Sequence, residues 1–551
     1  MDLLVTIVAL LVAVYAVIPR ERQLDLTLKI DFIDWVVILL GFLGVFYLEF
    51  YDFALAHGWV FKRPWPEGIT PRNTTYLIMV AVTLFLWLRV RFAVLTARKI
   101  RKFRELVEEL YWTESYGELL TLLQKHLKEL FKIYCLDFPL ARVRYRLESL
   151  IRPRFDFALI EKMEAALKED VSPDTNKQTA RQRRAQPLFP VTRSLVPLLV
   201  KFLPKYEKTQ QVAQDIIRTV LLSRRFVSAL ARTRPYFGLE VIRESARCQE
   251  RFDFVDAYLK ELVRDSSSVF YAELFNNQNC SQHRYYLSDS NRLLHFFLSD
   301  AKVAYDNGIY KPIGDFAVAY LDELARDHGA DPYNRAMGDF EKVGAWQSPI
   351  FTSIRFFDIM VKEALFQGIE WHMWLYYMPL LVEGMARNYR VDDPLADPDD
   401  EWPIRYSFLL YQSFSAMRDW IMAIEDVPQT QANVKLKSTR ADHENGNIPK
   451  SSILALSECS RFVLESDYIG SRQKQYLMNM VFEMYFDLRS SKDFEEYAVA
   501  LRTAVSQGGF FRRRADGKFR TALIGAFSEN KSEYLIKHAD AHVYELEAAL
   551  H

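Results

Sequence analysis

Three long stretches without a charged residue dominate the first 97 positions of the chain. They are Leu3–Ile18, Trp35–Leu48 and Tyr76–Leu88. A helix rises about 1.5 Å per residue, so about 20 residues cross a hydrocarbon layer of about 30 Å. Each stretch reaches that length when its interfacial neighbours are included. The pattern therefore predicts three transmembrane helices, at about 3–19, 32–52 and 75–96; three buried core helices are the alternative.

Beyond residue 97 the hydrophobic positions recur with a period close to that of an α-helix. Between 116 and 134 the apolar side chains fall three or four residues apart, and Ser115 with Glu118 has the spacing of an N-terminal capping box. Alternating strand patterns with hairpin turns are essentially missing. We predict further helices at 155–169, 192–203, 208–232, 254–275, 290–305, 312–327, 350–390 (broken at Pro379), 405–425, 451–466, 470–488, 493–507 and 529–550.

The predicted fold class is all-α: three N-terminal transmembrane helices followed by a large, irregular helical bundle or helical stack in the cytosol. Polar segments at 170–190, 391–403 and 428–450 divide the chain. The predicted parts are a transmembrane module at 1–97, a basic membrane-proximal segment at 98–170, a central body at 191–390, and a distal bundle at 404–551 with a polar linker at 428–450.

Charges after the third stretch predict the orientation. Seven basic side chains, from Arg89 to Arg104, precede the first acidic residue, Glu105. Basic residues accumulate on the cytoplasmic side of membrane proteins. No basic residue precedes Leu3, which is unlike a cleaved signal peptide. We therefore expect a plasma (inner) membrane protein of bacterial type, with its N-terminus outside and its large C-terminal body in the cytoplasm.

Composition adds a charge gradient to this picture. The 551 residues have a formal net charge of zero. Residues 98–240 nevertheless carry a surplus of 11 positive charges, and residues 241–551 an equal negative surplus. A mean hydropathy of −0.10 excludes a transporter with many spans, and the apolar content excludes a disordered chain. The positive segment lies where it would meet anionic headgroups, so an anionic bilayer is the first predicted partner.

Basic side chains close to aromatic ones form the candidate contact residues for lipid or nucleic acid. Phosphate groups attract such clusters, and exposed bases can stack on the aromatic rings. The candidates are Arg98, Lys99, Arg101, Lys102, Arg104, Arg142, Arg144, Arg146, Arg512, Arg513 and Arg514. We favour lipid for the group near the third span, and a solvated loop is the alternative for the last three.

Motifs for catalysis are missing from the sequence. It contains no phosphate-binding glycine loop, no nucleophile elbow and no HExxH metal motif, and its four cysteines are widely separated. His538, His542 and Glu545 would share one face of a continuous helix and form a low-priority metal site. A surface histidine pair is the simpler interpretation. The sequence predicts no cofactor and leans against an enzyme.

Glu49 and Asp52 lie three residues apart at the outer end of the second predicted span. Ionisable groups in membrane segments suggest an ion path, whereas a helix end in the headgroup layer is the structural alternative. The leading hypothesis is a membrane-anchored interaction or signalling protein, a scaffold, sensor or membrane effector with a protein partner or self-association. Its spans would oligomerise into a pore in the stronger version, as in a stress or defence effector. The alternatives are a membrane-tethered nucleic-acid-binding protein and a helical metal-dependent hydrolase.

Overall fold

The predicted all-α class is confirmed over the part of the chain that the structure describes. This computed structural model describes residues 20–59, 70–92, 94–138, 141–144, 147, 206–278, 280–281, 284–326, 331–369, 373–398, 400–426, 448–509 and 517–551. The only strands within these ranges are β1 (Cys280–Ser281) and β2 (Arg284–Tyr285), which pair antiparallel as a short hairpin. The predicted helices at 155–169 and 192–203, the first predicted span and the polar segment at 170–190 lie outside them.

The chain divides into two compact units, the first of which is residues 1–226 with 244–248. The named helices of its described part are α1 (Arg20–Lys29), α2 (Phe32–Glu49), α3 (Tyr51–Ala56), α4 (Pro71–Phe92), α5 (Ile100–Trp112), α6 (Tyr116–Tyr134) and α7 (Glu207–Ile216), followed by a π-helical turn at Ile217–Leu221. Helix α2 packs along α4, and α7 packs against α5 and α6. Helix α8 (Arg224–Thr233) begins in this unit and continues into the second.

The second unit comprises residues 227–243 and 249–551. Its remaining named helices within the described residues are α9 (Pro235–Glu244), α10 (Arg251–Arg264), α11 (Val269–Asn276), α12 (Arg292–Leu298), α13 (Ala301–Asn307), α14 (Tyr310–Arg326), α15 (Pro349–Phe366), α16 (Tyr377–Asn388), α17 (Arg405–Met422), α18 (Ile448–Glu465), α19 (Ser471–Ser490), α20 (Glu495–Gln507), α21 (Gly517–Lys537) and α22 (Asp540–Leu550). Short 3₁₀ and π turns connect several of them. Helices α15, α17 and α18 supply much of the buried apolar core.

Five of the predicted helical stretches are interrupted at positions that the periodicity did not indicate. Three of them, 208–232, 254–275 and 290–305, are interrupted after Leu221, Arg264 and Leu298. The stretch predicted to break at Pro379 is interrupted between Phe366 and Met373 instead. Pro379 lies in the first turn of α16, where a backbone N–H has no intrahelical acceptor and proline is tolerated. The stretch predicted as one helix from 529 to 550 is interrupted between Lys537 and Asp540. Periodicity did not reveal either interruption because short apolar segments continue the pattern across it.

The three predicted spans have different outcomes. Within the described ranges, α2 is the one helix that is long and apolar enough to cross a membrane, and 11% of its apolar window is buried. In α4 the apolar part is shorter, Asn73–Arg89. The helical period that continues beyond residue 97 would allow the third span to extend as one helix through residues 98–134, but it does not: the chain leaves the helix after Phe92 and forms the separate helices α5 and α6. Ser115 is the N-cap of α6 as predicted, although its side chain makes no capping hydrogen bond.

Candidate membrane anchor and buried charge networks

Helices α2 and α4 form a hairpin with a close interface. At Gly41 a β-carbon would lie 2.7 Å from Cγ2 of Val82, so only glycine fits there without displacing its neighbour. Small residues at such crossings allow helix backbones to approach each other within a bilayer. The local sequence of α2 therefore suits packing against one partner helix.

The outward faces of this hairpin are apolar. Most of the large hydrophobic side chains exposed in the described residues belong to this region. They are Phe32, Ile33, Trp35, Leu39, Leu40, Leu43, Phe46, Tyr47, Phe50, Phe53, Trp59, Tyr76, Leu77, Val80, Leu84, Trp87, Leu88, Phe92 and Val94. A contiguous surface of this kind would be unfavourable in water, and it marks a site that binds lipid or another apolar surface.

One end of the hairpin carries a compact ion-pair network. Asp34 is only 1% exposed, and the Arg89 Nε lies 3.2 Å from one of its carboxylate oxygens. The Arg89 Nη2 and the Lys99 Nζ lie 2.9 and 2.8 Å from the Asp31 carboxylate. Lys99 also donates to the main-chain oxygens of Leu28 and Lys29, at 2.8 Å each. Two carboxylates and two cations thereby connect the start of α2 to the end of α4 and to the segment that follows α4.

The opposite end of the hairpin holds the predicted ion-path residues. Helix α2 ends at Glu49, and Phe50 separates it from α3, which contains Asp52. Both carboxylates belong to exposed residues. His57 follows α3, with its Nδ1 2.9 Å from the main-chain oxygen of Phe53. The structure thus places Glu49 and Asp52 at a helix junction, and their role in ion conduction stays a prediction.

Asp25 is the centre of a second charge network beside the hairpin. It is buried in α1, and its carboxylate lies 3.0 Å from His126 Nε2 and 3.2 Å from Lys29 Nζ, and contacts the Lys125 ammonium. Burial alone would raise the pKa of Asp25. Hydrogen bonds from His126 and Lys125, with the charges of Lys125 and Lys29, outweigh burial and hold that pKa well below its usual range. This network ties α1 to α6.

Several predicted basic contact residues are exposed, and several have ion-pair partners within the protein. Arg98, Arg101 and Lys102 are exposed on the segment that follows α4. Arg104 instead lies 2.6 Å from Glu108 and 3.3 Å from Asp215. Two of the remaining candidates form ion pairs within the protein: the Lys99 ammonium pairs with Asp31, and Arg142 lies 2.7 Å from Asp137. Arg144 is half-buried, whereas Arg146, Arg512, Arg513 and Arg514 lie outside the residues that the structure describes.

The histidine cluster near the C-terminus is not assembled as the sequence suggested. Because the chain is interrupted after Lys537, His538 and His542 do not share a helix. His538 Nε2 lies 2.8 Å from Glu483, and its ring stacks on Phe486. Glu545 pairs with Arg489 at 3.2 Å and also contacts Arg502. Neither the His538 nor the Glu545 contacts form a shared ligand set, and the described residues contain no group of three metal-binding side chains.

The second unit contains a buried charge network that the sequence pattern did not predict. Asp358 on α15 accepts hydrogen bonds from Tyr285 Oη and, at 3.0 Å, from Trp420 Nε1. The Lys362 ammonium, one turn later, lies 3.3 Å from Asp358 and 3.1 Å from Asp419. The sequence pattern of α15 did not indicate this network. The helix is buried on nearly every face, so its charged and apolar residues do not separate onto an exposed and a buried side.

A surface cavity of about 620 Å³ adjoins this network. Its lining includes Glu363, which is buried and whose carboxylate accepts hydrogen bonds from Nε and Nη2 of Arg284, at 3.2 Å each. Tyr286, His295 and Phe366 are among the other lining residues. The main charged groups of the cavity are therefore already paired with each other, and they fix the β-hairpin to α15.

No family model, no curated protein and no solved structure matches this chain.

Proposed function

We propose that this chain is a membrane-anchored helical scaffold protein. Its anchor consists of three spans, at about 3–19, within α2 and within α4, and its helical body lies in the cytoplasm. The anchor holds the body at an anionic bilayer, where the body binds a protein partner. The observation that carries the proposal is the α2–α4 hairpin, whose outward faces are apolar and whose charged groups lie at its ends, with Asp31, Asp34 and Arg89 paired at one of them.

The position of the charges supports a fixed orientation in the bilayer. Asp34 and Arg89 satisfy each other at one end of the hairpin, so neither charge needs water in the apolar layer. Arg98, Arg101 and Lys102 follow directly and are exposed. Each basic side chain near an anionic surface contributes about 1 kcal/mol of attraction. This end of the hairpin therefore belongs at the cytoplasmic face.

The contacts inside the helical body favour a structural role for its buried carboxylates over a role in an open reaction centre. Its buried carboxylates Asp358 and Glu363 are engaged by cations and hydrogen-bond donors from neighbouring elements. Paired groups of this kind hold helices in one arrangement. A rigid helical body carried on a short anchor is suited to binding a partner at the membrane.

The topology can be tested in cells with the full chain and a thiol reagent that does not cross membranes. In a background with the native cysteines replaced by serine, we expect Asp2→Cys and Thr70→Cys to be labelled from outside. Arg98→Cys should be labelled only after permeabilisation, and it is the matched control for reagent entry. Labelling of Thr70→Cys and Arg98→Cys from the same side, or release of the protein by alkaline carbonate, would overturn the proposal.

The same experiment separates three spans from two. Labelling of Asp2→Cys from outside supports the span at 3–19, since an odd number of crossings separates the two chain ends. Labelling of Asp2→Cys only after permeabilisation would retain the hairpin anchor and reject the first span. Partner binding is then tested by chemical cross-linking in intact membranes followed by mass spectrometry. Recovery of the chain as an uncross-linked species under all conditions would contradict the scaffold role.

A further inference from the structure

Two cysteines that are 113 positions apart in the sequence meet in the first unit. The Sγ atoms of Cys135 and Cys248 lie 3.8 Å apart. Cys135 caps the C-terminal end of α6, and its N–H donates to the main-chain oxygen of Phe131 at 2.8 Å. Cys248 ends the turn that follows α9, and its N–H donates to Ser245 at 2.8 Å. Hydrogen-bonded backbone thus positions both thiols.

The two thiols differ in their exposure to solvent. Cys248 is buried, whereas Cys135 is half-buried and can be reached by a small molecule. Arg247 and Asp137 are the charged groups beside them, 3.6 Å apart. The hydrogen bond with Cys248 and the Arg247 guanidinium lower the pKa of Cys135 to about 7, although burial and Asp137 act in the opposite direction. Cys135 therefore has the accessibility and thiolate fraction of a reactive cysteine.

We propose that Cys135 and Cys248 form a redox modification site at which a hydroperoxide converts the two thiols into a disulfide. A disulfide requires sulfur atoms about 2.05 Å apart. The 3.8 Å separation of the two Sγ atoms is that of a thiol–thiol hydrogen bond, so rotation about the side-chain bonds and a small backbone shift must bring the sulfur atoms to bonding distance. This inference does not depend on the proposed membrane anchor.

The chemistry balances with hydrogen peroxide as the two-electron oxidant. The Cys135 thiolate attacks one peroxide oxygen, the O–O bond breaks, and the departing hydroxide takes a proton to become water. Cys135 is then a sulfenic acid. Cys248 attacks this sulfur, the S–S bond forms, the S–O bond breaks, and the leaving hydroxide takes the Cys248 proton. The net reaction converts two thiols and one peroxide into one disulfide and two waters.

The disulfide would link residues 244–248 covalently to helix α6. Residues 244–248 belong to the first unit, although the residues before and after them, 227–243 and 249–551, belong to the second. A covalent bond from Cys248 to Cys135 would hold this segment at the C-terminal end of α6. Cross-linking residues this far apart in sequence removes much conformational freedom from the unfolded chain. Oxidation should therefore raise the resistance of the first unit to unfolding.

The test uses the full chain in mild detergent, treated with hydrogen peroxide and digested without reduction. Mass spectrometry should find one cross-linked peptide pair that contains Cys135 and Cys248 and has lost two hydrogens. The Cys459→Ser variant is the matched control: Cys459 is fully buried against Met417, and its loss should leave the cross-link unchanged. Recovery of both thiols unmodified, or of Cys135 as a sulfinic acid without a cross-link, would overturn the proposal.

Two variants test the order of the steps. Cys248→Ser should stop the reaction at a Cys135 sulfenic acid that dimedone traps; failure to trap it in a folded variant would contradict attack by Cys135. If Cys248→Ser does not fold, the peptide map of the unaltered chain decides alone. The oxidation rate should rise with pH and reach half its maximum near pH 7, and Arg247→Gln should move this midpoint upward. A rate without a midpoint below about pH 8.5, the usual cysteine value, would exclude the activated thiolate.

Discussion

Arg89 Nε lies 3.2 Å from the carboxylate of Asp34, joining two helices of the hairpin through residues 55 positions apart. The same carboxylate accepts the main-chain N–H of Asp31 at 2.7 Å, which also fixes the start of α2. The pair thus has two functions: it neutralises a buried acidic group and sets the register of α2 against α4. Arg89, whose side chain is 40% exposed, can reach the headgroup layer at the same time.

Removal of either partner of this pair should weaken the hairpin. We expect Asp34→Asn and Arg89→Gln each to cost about 1–2 kcal/mol, less than a fully buried pair because Arg89 is partly solvated. A double-mutant cycle, measured by denaturation of the full chain in detergent, should show a coupling of at least about 0.5 kcal/mol. Arg91→Gln is the matched control, since Arg91 is exposed in the same helical turn. Additive effects of the two substitutions would contradict the register role.

Asp25 should make the attachment of α1 to α6 sensitive to acid. Its pKa is lowered in the folded protein, so its stabilising effect is present above the unfolded-state pKa of about 4 and is lost as the pH falls below that value. Asp25→Asn should reduce hydrogen-exchange protection of residues 20–29 at pH 7. The difference between this variant and the unaltered chain should shrink between about pH 4 and pH 2.

Glu109→Gln is the control for this pH series because Glu109 is an exposed carboxylate on α5. Its substitution should leave the protection of α1 unchanged at every pH. A difference between Asp25→Asn and the unaltered chain that stays constant below pH 4 would show that the Asp25 charge is not its origin.

Asp358 should be more important to stability than a carboxylate in a surface pair. Asp358→Asn removes one of the carboxylates beside the buried Lys362 ammonium, Asp419 being another, and we expect a loss of about 3–5 kcal/mol. Asp322→Asn removes the exposed partner of Arg387 and should cost less than about 1 kcal/mol. Thermal unfolding of both variants gives the comparison. Equal losses would mean that the Asp358 network does not fix the body.

Glycine positions in two helices should respond oppositely to a methyl group. At Gly314 a β-carbon would lie 2.3 Å from the Tyr377 ring, so Gly314→Ala should cost about 1–3 kcal/mol through overpacking. Gly525, in the interior of α21, has open space at this position, and Gly525→Ala should stabilise the chain by about 0.5–1 kcal/mol. Thermal unfolding again gives the comparison, and stabilisation by Gly314→Ala would contradict the helix contact.

The sequence predicted the helix class well and the helix ends less well. Period and apolar length located α2, α17, α18 and α19 to within a few residues, because these helices carry long and continuous patterns. The interruptions after Phe366 and Lys537 were missed because the apolar spacing persists through them. The His538–His542–Glu545 arrangement was inferred from an assumed continuous helix, and it disappears with the interruption.

By itself the sequence determined the apolar lengths, the all-α class and the accumulation of basic residues after the third apolar stretch, because these are properties of neighbouring positions along the chain. Only the tertiary structure decided which polar side chains meet. Asp34 with Arg89, Asp25 with His126, Asp358 with Trp420 and Cys135 with Cys248 are each separated by more than 50 positions. Such pairs depend on how helices pack, and packing is set by the shape of whole side-chain surfaces rather than by local spacing.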